Sequence, residues 1–301
     1  MGAVGVTGTP AANTLAAEAD VVLTVGTRLQ DFTTGSRTLF HAPGHRIVSL
    51  NVQAFDAGKH GAQPLVADAK AGLAALGEVL ADWRAPETWA ERARLEKQRW
   101  QQAASAFTVA GNAELATDAQ VIGAVQRETS PSDIVVCAAG GLPGELHKHW
   151  QAGQVGGYHV EYGFSCMGYE IAGALGVKLA QPARDVFVLV GDGSYLMMNS
   201  EIATSVMLGL KLTIVVLDNR GYGCIDRLQR ATGGQSFNNL LRDAVHETLP
   251  QIDFAAHARS LGAVSEKVDG LGGLEAALAR ARLAERTSVV VIDTDPFAAT
   301  D

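Results

Sequence analysis

Cysteine, aromatic residues and charge are all scarce in this chain, and each shortage narrows what it can be. Its 301 residues include three cysteines, Cys137, Cys166 and Cys224, far apart and with no CxxC pair. That excludes a disulfide framework and a cysteine-built zinc site, and it fits a reducing compartment, with the cytosol the expected location. Lysine and arginine total 24 against 32 acidic residues, for a net charge of -8, and no basic run interrupts the scatter. Nucleic acid and anionic membrane are therefore not expected as partners, and any phosphate ligand must be held locally. No apolar run approaches the length of a membrane span, and no basic segment precedes an apolar stretch at the N-terminus, so neither insertion nor export is expected.

What the chain does have is apolar bulk, 47% hydrophobic against 19% charged, arranged as short β-branched runs alternating with helical patterns. The runs VVLTVG (21–26), RIVSLNV (46–52), IVVC (134–137), VFVLVG (186–191), LTIVVL (212–217) and SVVVID (288–293) predict buried strands. Because they are nearly continuous rather than alternating, they suit parallel sheets covered by helices on both faces, an α/β, doubly wound arrangement. The charged, strandless segment PETWAERARLEKQRWQQAASAF (86–107) predicts a long connecting helix. Residues 1–85 then form one α/β segment, 86–116 a linker helix and 117–301 a second α/β domain. The first segment looks incomplete, with two clear strands and a third at Leu65 and Val66, so Met1 is not expected to be the natural start. In GAVGVTGTPAA, Thr9 before Pro10 predicts a helix cap, but the glycine spacing misses GxGxxG and reads as packing and turns.

The chemistry concentrates in VFVLVGDGSYLMMNSE (186–201), where a buried strand ends on an aspartate between two glycines. A helix over 195–208 and the next strand complete a βαβ unit, so Asp192 and Asn219 both emerge at carboxyl strand ends, the edge at which α/β sheets bind ligands. One carboxylate, one amide oxygen and a backbone carbonyl, that of Gly221, make an all-oxygen set suited to Mg²⁺ or Ca²⁺. Gly191 and Gly193 allow close approach, and Gly193 and Ser194 open a helix whose free N–H groups favour phosphate. Asp192 would repel a phosphate unless a cation lay between them, so a metal-bridged diphosphate satisfies both facts. Taken alone, the triplet reads as an ordinary turn whose aspartate caps the helix; Asp-Asn-Arg-Gly at the end of the next strand turns the reading to metal.

The stretch GDGSYLMMNSEIATSVMLGLKLTIVVLDN resembles the diphosphate and metal motif of the thiamine-diphosphate-dependent enzymes. It carries Asp218 where the family has the first of two asparagines, a change in the supporting shell. Upstream, YHVEYGFSCMGYEIAGALG (158–176) resembles the family's strand and small-residue helix, and Met167 matches the large apolar residue that props the thiazolium ring; by itself it reads equally as a core methionine. With CAAGGLPGELHKHW (137–150), TRLQDFTTGS (27–36) and DNRGYGCIDRLQRATGGQSFNNL (218–240), the resemblance is closest to the trihydroxycyclohexane-1,2-dione hydrolases of inositol catabolism.

That resemblance implies thiamine diphosphate and Mg²⁺ as cofactors. Asp192, Asn219 and the Gly221 carbonyl would be the metal ligands, with Gly140, Gly141, Leu142, Met167, Gly191, Gly193 and Ser194 along the cofactor. It implies hydrolytic C–C cleavage of a cyclic polyol dione to 5-deoxy-glucuronate, with carboligation like that of acetohydroxyacid synthase as the alternative activity and a non-catalytic binding fragment as a third reading. Residues 1–85 would be the tail of the central domain and 117–301 the diphosphate-binding domain. The family's cofactor-activating glutamate lies in an N-terminal domain for which this chain has no room; Glu18, in an ordinary helical pattern, is not expected to replace it. A homo-oligomer or a complementing N-terminal domain is therefore expected. His147 is left open as a residue reaching substrate, and His149 is expected on a helix surface.

Overall fold

A computed structural model of the chain describes residues 1–111 and 113–300; Asn112, in the expected linker, and Asp301, at the end of the expected last domain, lie outside them. The described residues form two compact units, Met1–Ser105 and Ala106–Asp301.

The first unit runs α1 (Pro10–Glu18), β1 (Val21–Val25), α2 (Asp31–Thr34), β2 (Arg46–Asn51), α3 (Ala54–Ala57), β3 (Gln63–Val66), α4 (Ala69–Val79) and α5 (Glu87–Phe107), the last of which reaches the division. Thr9 caps α1 as expected, its hydroxyl accepting from the Ala12 N–H, with Pro10 in the first turn. The three strands are parallel in the order β1-β2-β3. Contrary to expectation β1 is not buried: Val21 and Leu23 are 57% and 47% exposed. The unit's core gathers Leu29, Phe40, Ile47 and Ala62 with Val22, all on one side of β1, and no described element covers its other face. α5 is ion-paired to α1 through Arg92 and Glu18, at 2.8 and 3.2 Å, and buries no residue.

The second unit runs α6 (Asp118–Glu128), β4 (Ile134–Cys137), α7 (Leu142–His149), β5 (Tyr158–Val160), α8 (Tyr169–Ala180), β6 (Val186–Gly191), α9 (Asp192–Met197), α10 (Glu201–Met207), β7 (Thr213–Asp218), α11 (Gly223–Ala231), α12 (Phe254–Ser260), β8 (Val264–Val268), α13 (Gly270–Leu283) and β9 (Ser288–Asp293). Its sheet is parallel in the order β5-β4-β6-β7-β9-β8. One apolar cluster packs α6, α7 and α13 on one face and another packs α8, α10 and α12 on the other, which is why the central strands read as unbroken apolar runs. Each Val or Ile buried there contributes roughly 1.5–3 kcal/mol. The chain leaves β4 toward β5 on one side and returns to β6 on the other, so the crevice between the carboxyl ends of β4 and β6 is the sheet's switch point.

The single helix expected over 195–208 is two, α9 and α10, separated at Met198–Ser200, where Met198 leaves helical geometry at φ -147. The strands β5 and β8 escaped the sequence reading as apolar runs because they lie at the sheet edges and are only partly buried, β8 carrying Glu266 and Lys267.

Candidate functional site

The switch point carries a pocket of about 220 Å³. Gly140, Gly141 and Leu142 enter it from the turn after β4, Met167 from the loop before α8, Gly191, Asp192, Gly193 and Ser194 from the end of β6, and Asn219 and Gly221 from the end of β7. All the cofactor and metal candidates are thus brought together in one place. A larger cleft of about 820 Å³ shares Asp192, Gly193, Asn219, Gly221 and Tyr222 and extends beneath the segment 238–255. The smaller pocket is the one that gathers the candidates.

The Asp192 carboxylate is buried and accepts the Gly221 N–H at 2.9 Å. Burial, and after it the neighbouring Asp218, raises its pKa to about 7. Asn219 Oδ1 is shut off from solvent without a hydrogen-bond partner among the described residues. Between them the backbone turns sharply: Asp218 Oδ1 accepts from the Arg220 N–H at 3.0 Å, and Arg220 is left-handed at φ 58. The supporting role of Asp218 is therefore to close this turn. Gly221, at φ 147, bridges to Leu240, and a Cβ there would lie 2.5 Å from the Asn239 carbonyl oxygen. Only glycine fits.

The expectation for Ser194 concerned its backbone N–H, and its hydroxyl has a separate task. Its hydroxyl donates to Glu170 at 2.8 Å and accepts the Gly168 N–H at 2.7 Å, so it acts as a strut and leaves the backbone N–H as its contribution to the pocket. Glu170 also accepts from the N–H groups of Gly168 at 3.0 Å and Ala139 at 3.3 Å. One buried carboxylate, its pKa raised chiefly by burial, thereby ties together three of the four loops that line the pocket. α9 spans only six residues, so the N–H groups at its start carry little macrodipole behind them.

His147 lies outside both cavities, edge-on to Tyr158 and Tyr162 with ring centroids 5.7 and 5.2 Å away, and burial lowers its pKa. His149 is not on a helix surface: it is buried, with Nε2 2.9 Å from Thr300 Oγ1 in a network with Glu145. The 3.6-residue period puts it on the face of α7 that meets Thr300, which an apolar count does not register.

Residues that the sequence reading missed are Glu170, Asp118, Tyr222 and Arg227. Glu170 had a signal, the one carboxylate in a helix of mostly small and apolar residues. Asp118 lines the pocket with its pKa raised to about 7 by burial, Arg227 pulling it down and Glu145 and Asp295 pushing it up. The Tyr222 ring closes over Gly193, where a Cβ would lie 2.8 Å from Cε1. Among the described residues no three His, Cys, Asp or Glu side chains cluster as a metal site, so a cation here would need the mixed set of carboxylate, amide and carbonyl.

Both units match thiamine pyrophosphate enzyme families. A family model described as "Thiamine pyrophosphate enzyme, C-terminal TPP binding domain" matches residues 138–294, and one described as "Thiamine pyrophosphate enzyme, central domain" matches residues 1–76. Curated relatives named 3D-(3,5/4)-trihydroxycyclohexane-1,2-dione hydrolase include that of Halalkalibacterium halodurans, 36% identical over 100% of this chain and 51% of the relative. That of Geobacillus thermodenitrificans is 40% identical over 92% and 47%, and that of Bacillus thuringiensis 38% identical over 97% and 50%. The chain spans about half the length of the curated relatives it matches. Among the described residues no helix is long and apolar enough to cross a membrane.

Proposed function

The chain belongs to the thiamine pyrophosphate enzyme family, and from that premise we propose that its second unit holds thiamine diphosphate through Mg²⁺ and serves hydrolytic ring opening of trihydroxycyclohexane-1,2-dione. The observation that carries the reading is the convergence of Asp192, Asn219 and the glycines of three loops on one 220 Å³ pocket at the switch point. The residues present fit the group. An amide oxygen buried without a donor and a carboxylate whose burial is costly are both relieved by a cation, and an all-oxygen set suits a hard one. Gly191 and Gly140 leave room for a ligand to approach the backbone, whereas the space over Gly193 is taken by the Tyr222 ring, and Met167 offers an apolar support in the same pocket.

When bound, the cofactor supplies stabilised carbanion chemistry. The protein's own part is placement. Asp192, Asn219 and the Gly221 carbonyl hold the cation, the N–H groups of Gly193 and Ser194 face the phosphate side, Glu170 fixes three of the four loops, and Tyr222 with Met167 limits water. Because this chain spans about half the length of its relatives, the activity is assigned to an assembly in which a complementing N-terminal domain supplies the activating carboxylate. The substrate is a neutral polyol dione, which accords with a chain of net charge -8 lacking a basic surface run. The test is to supply such a domain and follow ring opening of the dione against turnover of pyruvate, each with and without thiamine diphosphate and Mg²⁺. Ring opening dependent on both is expected. Ring opening without thiamine diphosphate would overturn the cofactor assignment, and turnover of pyruvate alone would replace the hydrolase with a carboligase.

A further inference from the structure

Gly141 adopts φ -77 and ψ -28, a conformation open to any residue, so its lack of a side chain is a matter of space rather than backbone freedom. The space is taken by Arg227: a Cβ built on Gly141 would lie 2.5 Å from Arg227 Nη2 and 3.8 Å from its Cζ. Arg227, on α11, is half-buried, and its one hydrogen bond to the described residues is donated by Nη1 to the Pro296 carbonyl at 2.7 Å. A guanidinium has five N–H donors, so four remain without a protein acceptor. They sit at a pocket whose other charged lining residues are Asp118 and Asp192, and among the described lining residues Arg227 is the only cation.

The charge balance of a diphosphate makes this position consequential. A diphosphate ester carries close to three negative charges at neutral pH, and one divalent cation shared with Asp192 leaves the complex net negative. The six-residue α9 does little to offset that deficit. Resting on the thiamine diphosphate reading above, we infer that Arg227 is a direct ligand of the diphosphate, admitted to the pocket by Gly141 and steadied by the Pro296 carbonyl. A planar guanidinium with free donors matches phosphate oxygens in geometry as well as charge, which a lysine at the same place would not. The selectivity that follows is for the diphosphate itself: Arg227 distinguishes thiamine diphosphate from thiamine, and leaves recognition of the rings to other residues.

Calorimetric titration of the 301-residue chain with thiamine diphosphate, inorganic diphosphate and thiamine, each with and without Mg²⁺ and at several salt concentrations, tests the inference. Arg227→Gln is expected to weaken both diphosphates by about tenfold or more and to flatten their salt dependence, while leaving thiamine unchanged. Arg227→Lys should fall between, since it keeps the charge and loses the fork. Gly141→Ser should reproduce the loss without touching Arg227 itself, by displacing the guanidinium; melting temperatures confirm that each variant folds. If the parent chain binds diphosphate with Mg²⁺, loses it in Asp192→Ala, and yet all three variants bind as the parent does with the same salt dependence, the inference is overturned and the family reading stands. If the folded parent chain binds neither diphosphate, or binds it equally well without Mg²⁺ and in Asp192→Ala, the parent reading falls and the inference with it.

Discussion

At the scale of single residues, the pocket is made of groups that are costly where they stand. Asp192 keeps a carboxylate in a site that pushes its pKa to about 7, and Asn219 keeps an amide oxygen buried without a donor. Replacing Asp192 by Asn should therefore stabilise the metal-free chain at neutral pH while removing the stabilisation by Mg²⁺ with diphosphate. Thermal melts of parent and variant, with and without those ligands, check both halves, and a variant that is less stable without metal would mean the carboxylate is already satisfied by protein alone. Glu170 is a contrasting case, a buried carboxylate that is fully used. An amide can accept on only one of its two heads, so Glu170→Gln must turn an NH₂ toward the Ala139 or the Gly168 N–H. A buried donor left unmet costs about 1–3 kcal/mol. Hydrogen exchange at these two amides should speed up in the variant while the amides of β7 keep their protection, and diphosphate binding should weaken; unchanged exchange at both would deny Glu170 its role of tying the loops.

At the scale of elements, the sequence was most legible where physics acts locally. The strands β4, β6, β7 and β9 announced themselves because burial on both faces demands continuous apolar residues, and the ends of β6 and β7 followed from the parallel βαβ rule. That placed Asp192 and Asn219 at one edge before any coordinates. What a linear reading could not supply is the lateral packing. The break between α9 and α10 has no proline or glycine to signal it, and Arg227 meets Gly141 only because α11 lies beside the β4 turn. The loop after β7 is the element on which most depends, since Gly221 sits at φ 147 with the Asn239 backbone 2.5 Å from where a Cβ would go. Gly221→Ala should cost about 2–4 kcal/mol through combined strain and displacement of the 238–241 segment, and it should abolish the response to Mg²⁺. Urea unfolding with an unchanged slope and a lowered midpoint is the expected record; an unshifted midpoint would mean the loop relaxes freely.

At the scale of the whole molecule, the two units have different claims to stability. Met1–Ser105 rests on a three-stranded sheet whose first strand leaves valine and leucine exposed, whereas Ala106–Asp301 encloses a six-stranded sheet in apolar residues on both faces. A ligand stabilises only what binds it, so Mg²⁺ with diphosphate should raise the melting transition of the second unit and leave that of the first unmoved in a calorimetric scan; a shift in the first alone would put the ligand elsewhere. The second unit should also report the charge of its pocket through pH. Burial, opposed by Arg227 and aided by Glu145 and Asp295, raises the Asp118 carboxyl from 3.8 to about 7. The folded state therefore keeps a proton that the unfolded chain releases near pH 4. It follows that the Asp118 contribution to stability is complete below about pH 4, declines as pH rises toward 7, and is lost above that. Asp118→Asn removes this decline, so its melting temperature relative to the parent should climb between pH 4 and 7 and level off beyond, by an amount corresponding to on the order of 4 kcal/mol. A difference that stays flat across that range would mean that Asp118 is ionised throughout and that Arg227 is spent on it, leaving the guanidinium less free for a phosphate.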